Sequence, residues 1–331
     1  KDIADLSGKV YVVTGGSSGI GTSASHMWTA NEHMLMVTPG FGIVAHLLQH
    51  NPERIYLLGK KEEVSIRVPQ KLGRRIRITS LQIELEDLHQ TASVAKQLAS
   101  QLTRLDALVL NAGLGVGVYN ETKDGIDSHF QVNVLAQHHL MMMLLPVLTK
   151  TPESRVVFQS SELHRLGTSS VHFADLAEIN QDVGPMILYN RSKLAQILLA
   201  KAMVRHKKQS QLGLSPASGP YFIATHPGGV STDQPKQAEE AYGVMGKIGV
   251  MATRPFMSDP IDQGCRPALF AATSGDVVTK GLDGVYVVPD RKVVGVSSQA
   301  EDERLQEQCL RLTEGLLGEK LGGLPYETVY G

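Results

Sequence analysis

The chain has 331 residues, enough to bury one large core or two small ones. Its 32 Lys and Arg balance 33 Asp and Glu, so there is no basic field to hold nucleic acid or an anionic membrane. The only cysteines are Cys265 and Cys309, without C-x-x-C spacing, a usage that suits a reducing, cytoplasmic setting and argues against a structural zinc site.

In chain order, Lys1 to Gly8 lacks the apolar core of a signal peptide, although the missing initiator Met leaves room for a removed leader. Strands are predicted at 9–13, 54–58, 76–79, 106–110, 155–159, 221–225 and 284–288. Several are continuous β-branched or leucine runs, as expected of strands buried on both faces. Helical periodicity occupies 91–103, 126–149 and 188–208. The alternation predicts an α/β fold, a doubly wound parallel sheet of about seven strands with helices on both faces. The longest apolar stretch, Leu140 to Leu148, contains Pro146 and is too short to span a bilayer. Gln209 to Pro220 reads as a surface loop. Residues 229–264 carry five glycines and three prolines and read as a mobile, substrate-side segment. The catalytic domain is expected to end near 297, with 298–331 a surface tail.

Two patterns carry chemistry. Thr14-Gly-Gly-Ser-Ser-Gly-Ile-Gly21 follows the run Val10-Tyr-Val-Val13. A glycine turn after a buried strand lets backbone N–H groups approach a phosphate closely, and a following helix N-terminus favours its charge. Tyr189 and Lys193 lie four residues apart on a predicted helix, so phenol and ammonium share a face. A neighbouring cation favours the phenolate, bringing it toward general acid/base work. Ser160 and Ser161 end the strand 155–159, at the carboxyl edge where such sheets bind ligands. A hydroxyl there can bond a substrate carbonyl and stabilise developing negative charge.

With Asn111-Ala-Gly113 after the fourth strand, Asn133 in the next helix and Pro227-Gly-Gly-Val-Ser-Thr232 after the sixth, these motifs stand in one order from residue 8 to about 290. The chain resembles the short-chain dehydrogenase/reductase family. The Arg155 to Arg165 segment and the 28-residue gap between Ser161 and Tyr189 look more like its retinol-dehydrogenase-like branch. The resemblance implies a single Rossmann-type domain and an oxidoreductase that interconverts a carbonyl and an alcohol on a moderately apolar small molecule. It implies that Tyr189 is the general acid/base, that Lys193 binds the nicotinamide ribose and lowers the Tyr189 pKa, and that Ser161 orients the substrate oxygen. Ser160 is the competing serine. Asn133 would hold a helix distortion and a water linking Lys193 to solvent. Thr14, Gly15, Ser17, Ser18, Gly19, Ile20 and Gly21 would cradle the cofactor, Asn111, Ala112 and Gly113 would support the sheet edge, and Glu84 would lie near the adenine. Pro227, Gly228, Val230 and Thr232 would contact the nicotinamide side. A homodimer through the helices carrying Asn133 and Tyr189 is a further expectation.

Cofactor choice turns on the end of the second strand. An enzyme of this fold that uses NAD presents a carboxylate there, whereas this chain has Gly59, Lys60 and Lys61. Two lysines suit a 2′-phosphate, so NADP(H) is expected ahead of NAD(H). The competing reading is a pair of solvated surface lysines.

His138, His139 and Met141-Met-Met143 are read as structural, without metal-ligand spacing. His164 and Arg165 are candidate cleft-lining residues outside the catalytic set. One departure stands out. Residues Thr22 to Gly40 form a 19-residue insertion, and removing them joins Gly21 to Phe41 with an apolar stripe at 41, 44 and 48. The helix is therefore expected to begin near Phe41. The insertion is either a translated intron or splice variant, or an excursion looping away from the site. A disrupted cofactor turn would make the protein a catalytically impaired member with a binding or regulatory role.

Overall fold

The computed structural model describes residues 3–16, 39–60, 77–228 and 261–330. Its strands are β1 (Val10–Thr14), β2 (Arg54–Gly59), β3 (Arg77–Gln82), β4 (Ala107–Leu110), β5 (Arg155–Gln159), β6 (Tyr221–Thr225), β7 (Tyr286–Val288) and β8 (Lys292–Val294). They form one sheet in the order β3-β2-β1-β4-β5-β6-β7-β8. Pairing is parallel from β3 through to β7, and β8 closes the edge antiparallel to β7. The longer helices among the described residues are α1 (Pro39–Leu48), α2 (Leu88–Gln101), α3 (Ser128–Lys150), α4 (Pro185–Lys208), α5 (Arg266–Thr273) and α6 (Glu303–Leu321).

Alternation along the buried strands divides the core in two. Val10, Val12, Leu108, Leu110, Val156 and Phe158 face one cluster with α2, α3, α4 and α6. Tyr11, Val13, Ala107, Val109 and Val157 face the other with α1 and α5. A strand buried on both faces has no polar side to offer, which is why these segments read as unbroken apolar runs. All seven predicted strands are present. The extra one, β8, is three exposed residues long, too short to leave a pattern. Strand order reverses between β1 and β4, and the crevice at their carboxyl ends is where the candidate site residues converge.

Three expectations are corrected. Helix α1 begins at Pro39, so Pro39 and Gly40 belong to it and not to the insertion; residues 22–38 lie outside the described residues. A proline in the first helical turn suits this start, since its missing N–H has no helical partner there. Residues 298–331 are no surface tail: α6 is capped by Asp302 and buries Leu305, Cys309, Leu310, Leu316 and Leu317 in the main core. Finally, α3 is long and apolar enough to cross a membrane, but most of it is buried inside the protein, so packing accounts for its composition. Helix α6 lies against α4, where Arg205 pairs with Glu307 and Lys201 with Glu301. With Leu188 to Val204 of α4 almost wholly buried, little of that helix is left for the expected pairing with a second copy. The segment 229–264 is described only at its short helical turn Ile261–Gly264.

Candidate active site

At the β1–β4 edge, side-chain amides and a hydroxyl hold the backbone in place. Asn111 Nδ2 donates to Thr14 O at 3.0 Å, and Ala112 N donates to Thr14 Oγ1 at 3.0 Å. Thr14 Oγ1 in turn donates to Gln137 Oε1 at 3.1 Å, and Gln137 Nε2 donates to Ala112 O at 2.7 Å. Gln137 was missed by sequence reasoning, although its one-turn spacing from Asn133 on α3 was available. Gly15 has φ +70°, and a Cβ there would lie 2.9 Å from Ala112 Cα. At Gly40 a Cβ would lie 2.6 Å from Gly15 O and closer still to Asn111 Nδ2. The first turn of α1 therefore abuts the β1 turn, with its free N–H groups and positive dipole end at the same place. Such a cradle, closed to any Cβ, fits the phosphates of a dinucleotide. Ser17, Ser18, Gly19, Ile20 and Gly21 lie outside the described residues.

Lys60 follows β2 as expected, but it is not an isolated cation. Its Nζ lies 2.7 Å from Glu86 Oε2 and 3.2 Å from Glu84 Oε1. Burial pulls its pKa down, but the bonds to Glu86 and Glu84 outweigh that and hold it above the ordinary lysine value. Glu84, expected near the adenine, thus partners the lysine meant for a 2′-phosphate. Lys61 lies outside the described residues.

On the other side of the crevice, α4 carries Tyr189 and Lys193 one turn apart, with Lys193 Nζ 5.5 Å from the centre of the Tyr189 ring. Nζ donates to Gln159 O at the end of β5, 2.8 Å away, and to Gln196 Oε1 at 3.2 Å. Burial lowers the Lys193 pKa to about 7. The expected distortion at Asn133 is present: residues Gln131–Leu135 form a π turn within α3. Asn133 Nδ2 donates to Ser192 Oγ at 2.9 Å and to Leu114 O at 3.1 Å, while Oδ1 accepts from Leu114 N at 2.7 Å. It ties the loop after β4 to α4, and a Cβ at Gly113 would lie 2.9 Å from its Oδ1.

The two serines separate cleanly. Ser160 Oγ donates to Lys193 O at 2.7 Å, so its proton is spent on α4. Ser161 Oγ accepts from Leu163 N at 3.3 Å, capping the 3-10 turn Glu162–Arg165, so its proton is not used in that bond. His164 is a brace behind Ser161. Its Nε2 accepts from Ser297 N at 3.2 Å, which puts its proton on Nδ1, donated to Ser161 O at 2.7 Å. Burial lowers its pKa, consistent with a neutral ring. Arg165 pairs with Glu162 and donates to Gly295 O. Pro227 and Gly228 follow β6, with Gly228 at φ +85°; Val230 and Thr232 lie outside the described residues. No group of three or more His, Cys, Asp or Glu able to hold a metal occurs among the described residues.

Comparison with known proteins identifies the family. A profile of the family described as short chain dehydrogenase matches residues 35–172. The Neurospora crassa protein named oxidoreductase bli-4, mitochondrial, is 34% identical over 332 residues, covering 96% of this chain and 74% of that one. Human retinol dehydrogenase 11 is 28% identical over 317 residues, covering 95% and 87%. Among solved structures, a Mycobacterium paratuberculosis protein superposes with TM-score 0.64 at 22% identity, covering 96% of each chain. The Pseudomonas aeruginosa RhlG/NADP complex gives 0.57 at 16% identity, covering 86% and 95%. These structures share the fold; the Neurospora relative carries the family. The chain is an oxidoreductase of the short-chain dehydrogenase/reductase family, whose members bind NAD(P) and act on small molecules.

Proposed function

We propose that this enzyme interconverts a carbonyl and an alcohol on a moderately apolar small molecule with NADP(H). The observation carrying this reading is the placement of Ser161, Lys193 and, one turn before it on α4, Tyr189 at the carboxyl edge of β5, with Ser161 and Lys193 held by hydrogen bonds and Lys193 Nζ 5.5 Å from the Tyr189 ring. A bound nicotinamide supplies or accepts the hydride. Tyr189 exchanges the proton with the substrate oxygen, and Ser161 donates a hydrogen bond to that oxygen as charge develops. Lys193 favours the phenolate. Thr14, Gly15, Gly40, Asn111, Ala112 and Gly113 would line the cofactor side, and Pro227 and Gly228 the nicotinamide side, with Val230 and Thr232 following in sequence.

Exposed apolar side chains support the substrate class. Val183 and Met186 precede Tyr189, Leu166 is tied to α4 through Asn190, and Val118 follows the loop held by Asn133. The names of two relatives also carry retinol, an apolar alcohol. The rival reading is a silent member in which the insertion blocks the cofactor turn; the packing of the α1 start on Gly15 speaks against the form of it in which the helix start is displaced. The absent carboxylate at Gly59 supports NADP(H), and the pairing of Lys60 with Glu84 and Glu86 reduces the expected margin. We further propose a cytoplasmic location, supported by a cysteine usage of two residues, Cys265 and Cys309, without C-x-x-C spacing. The Neurospora relative is named mitochondrial, so recovery of the full-length protein in an organelle fraction would overturn that placement.

The functional test is NADPH consumption by the purified chain with a panel of aldehydes and ketones of rising apolarity, retinal included. Turnover that grows with apolarity is expected. Tight NADPH binding without turnover on any carbonyl would favour the silent reading.

A further inference from the structure

Gln196 lies three residues after Lys193 on α4, 1% exposed, between the fully buried Leu194 and Leu198. A carboxamide in such surroundings is costly unless both its ends are bonded. Both are. Nε2 donates to the main-chain oxygen of Asn133 at 2.9 Å, and Oε1 accepts from Lys193 Nζ at 3.2 Å. The first bond sets the second, because an amide that gives its N–H to one carbonyl must turn its oxygen away from it. The Asn133 oxygen belongs to the π turn, where the helix backbone is rearranged.

We propose that Gln196 is a positioning residue for the reaction, a bridge from the π turn of α3 that holds the Lys193 ammonium charged and fixed beside Tyr189. The inference rests on the roles given above to Tyr189 and Lys193. Lys193 is otherwise bonded only to Gln159 O among the contacts described, and burial works against its charge. An acceptor supplied by Gln196 opposes that loss, since a hydrogen bond to the charged form favours it. A side chain thus links Lys193 to the Asn133 oxygen here, beside the water that the family resemblance implies. Neither a leucine nor a methionine at 196 could make it.

The titratable groups near the Tyr189–Lys193 pair are Tyr286 of β7, 3.3 Å from Glu162, and behind it Glu162, His164, Arg165 and His226 from the segments after β5 and β6. The π turn of α3 presents the neutral Asn133. None of these contacts Gln196 in the bonds described, so a pH shift on changing residue 196 reads Lys193 and, through it, Tyr189.

The experiment compares unmodified enzyme with Gln196→Met, which keeps volume and loses both bonds. In the alcohol-oxidising direction, rate rises with pH as Tyr189 loses its proton. With Lys193 less charged, that rise should move to higher pH by about one unit, and kcat at neutral pH should correspondingly fall roughly ten-fold, the scale of one charge-assisted bond. NADPH affinity should stay within about three-fold, well under the ten-fold scale of such a bond. A fall in kcat without a pH shift, a matching loss of NADPH affinity, or no change at all would overturn the proposal. If the methionine variant does not fold, Gln196→Asn, one methylene too short to reach both partners, is read by the same criteria. Substantial turnover by Tyr189→Phe would instead refute the parent reading, and so the two failures are distinguishable.

Discussion

The two flanks of the crevice are built by opposite means. On the β5–α4 flank the functional groups are side chains, buried and bonded from behind: Lys193 by Gln159 and Gln196, Asn133 by Leu114 and Ser192, and Ser161 by its backbone and His164. On the β1–β2 flank the working surface is backbone, kept accessible by glycines that tolerate no Cβ, and its one described cation, Lys60, is exposed and paired. A side-chain site on one helix is guaranteed by the helix repeat, because residues four apart share a face wherever the helix goes. A backbone cradle exists only if two distant segments meet, and here Gly15 meets Gly40. The first kind of site is robust to insertions and sensitive to single functional groups; the second is the reverse.

The largest effect should come from the side-chain flank. Tyr189→Phe is expected to lower turnover by about 10²–10⁴, the usual contribution of a positioned acid/base, while NADPH affinity moves only a few-fold. Steady-state kinetics with fluorescence titration of NADPH checks both, and retained turnover would break the contrast.

Lys193→Met tests the same flank through stability. Burial lowers the folded pKa to about 7 from the ordinary lysine value of 10.5, so between those values the unfolded chain binds more protons. Stability contributed by this residue therefore rises with pH across that window, and its cost is fully present below about 7. The substitution should flatten the rise toward pH 10, while the loss of the donor to Gln159 O and Gln196 Oε1, at about 1–3 kcal/mol each, offsets much of any gain at pH 7. Denaturant melts at several pH values decide it. An unchanged slope would mean that Lys193 is better solvated than its burial implies.

The backbone flank should respond to packing. Gly40→Ala forces the α1 start away from Gly15 and Asn111, at about 1–3 kcal/mol in stability, with NADPH binding weakened in parallel. Deleting Thr22–Gly40 puts Gly21 ahead of Phe41, in the place of Gly40, and should leave the protein folded with cofactor affinity equal or higher. If the deletion binds NADPH more weakly, the inserted segment is an integral part of the site.

The smallest effect is expected at Lys60. An exposed pair of this kind contributes about 0–1 kcal/mol, so Lys60→Ala should barely change stability and should narrow the NADPH-to-NADH preference by less than about ten-fold, the scale of one charge-assisted contact. A collapse of the preference would show that Lys60 leaves Glu84 and Glu86 for the cofactor.

The helix register of Tyr189 and Lys193, the buried strands β1, β2, β4, β5 and β6, and the glycine turn after β1 are all legible from residue type and spacing, because each is set within a few residues along the chain. The apolar positions 305, 309, 310, 316 and 317 of α6 also repeat at helical spacing, but the surrounding charges drew the segment toward a tail reading. The amides of Gln137 and Gln196 look like any polar residue in a helix until α3 and α4 are placed side by side. Gly40 is one glycine among many until the chain returns to β1. Local geometry follows from covalent structure and short-range sterics, which sequence carries directly. Which carbonyl an amide meets, whether Lys60 stands free or paired, and which glycine closes the cofactor turn depend on contacts between segments far apart in the chain, and only the folded packing decides them.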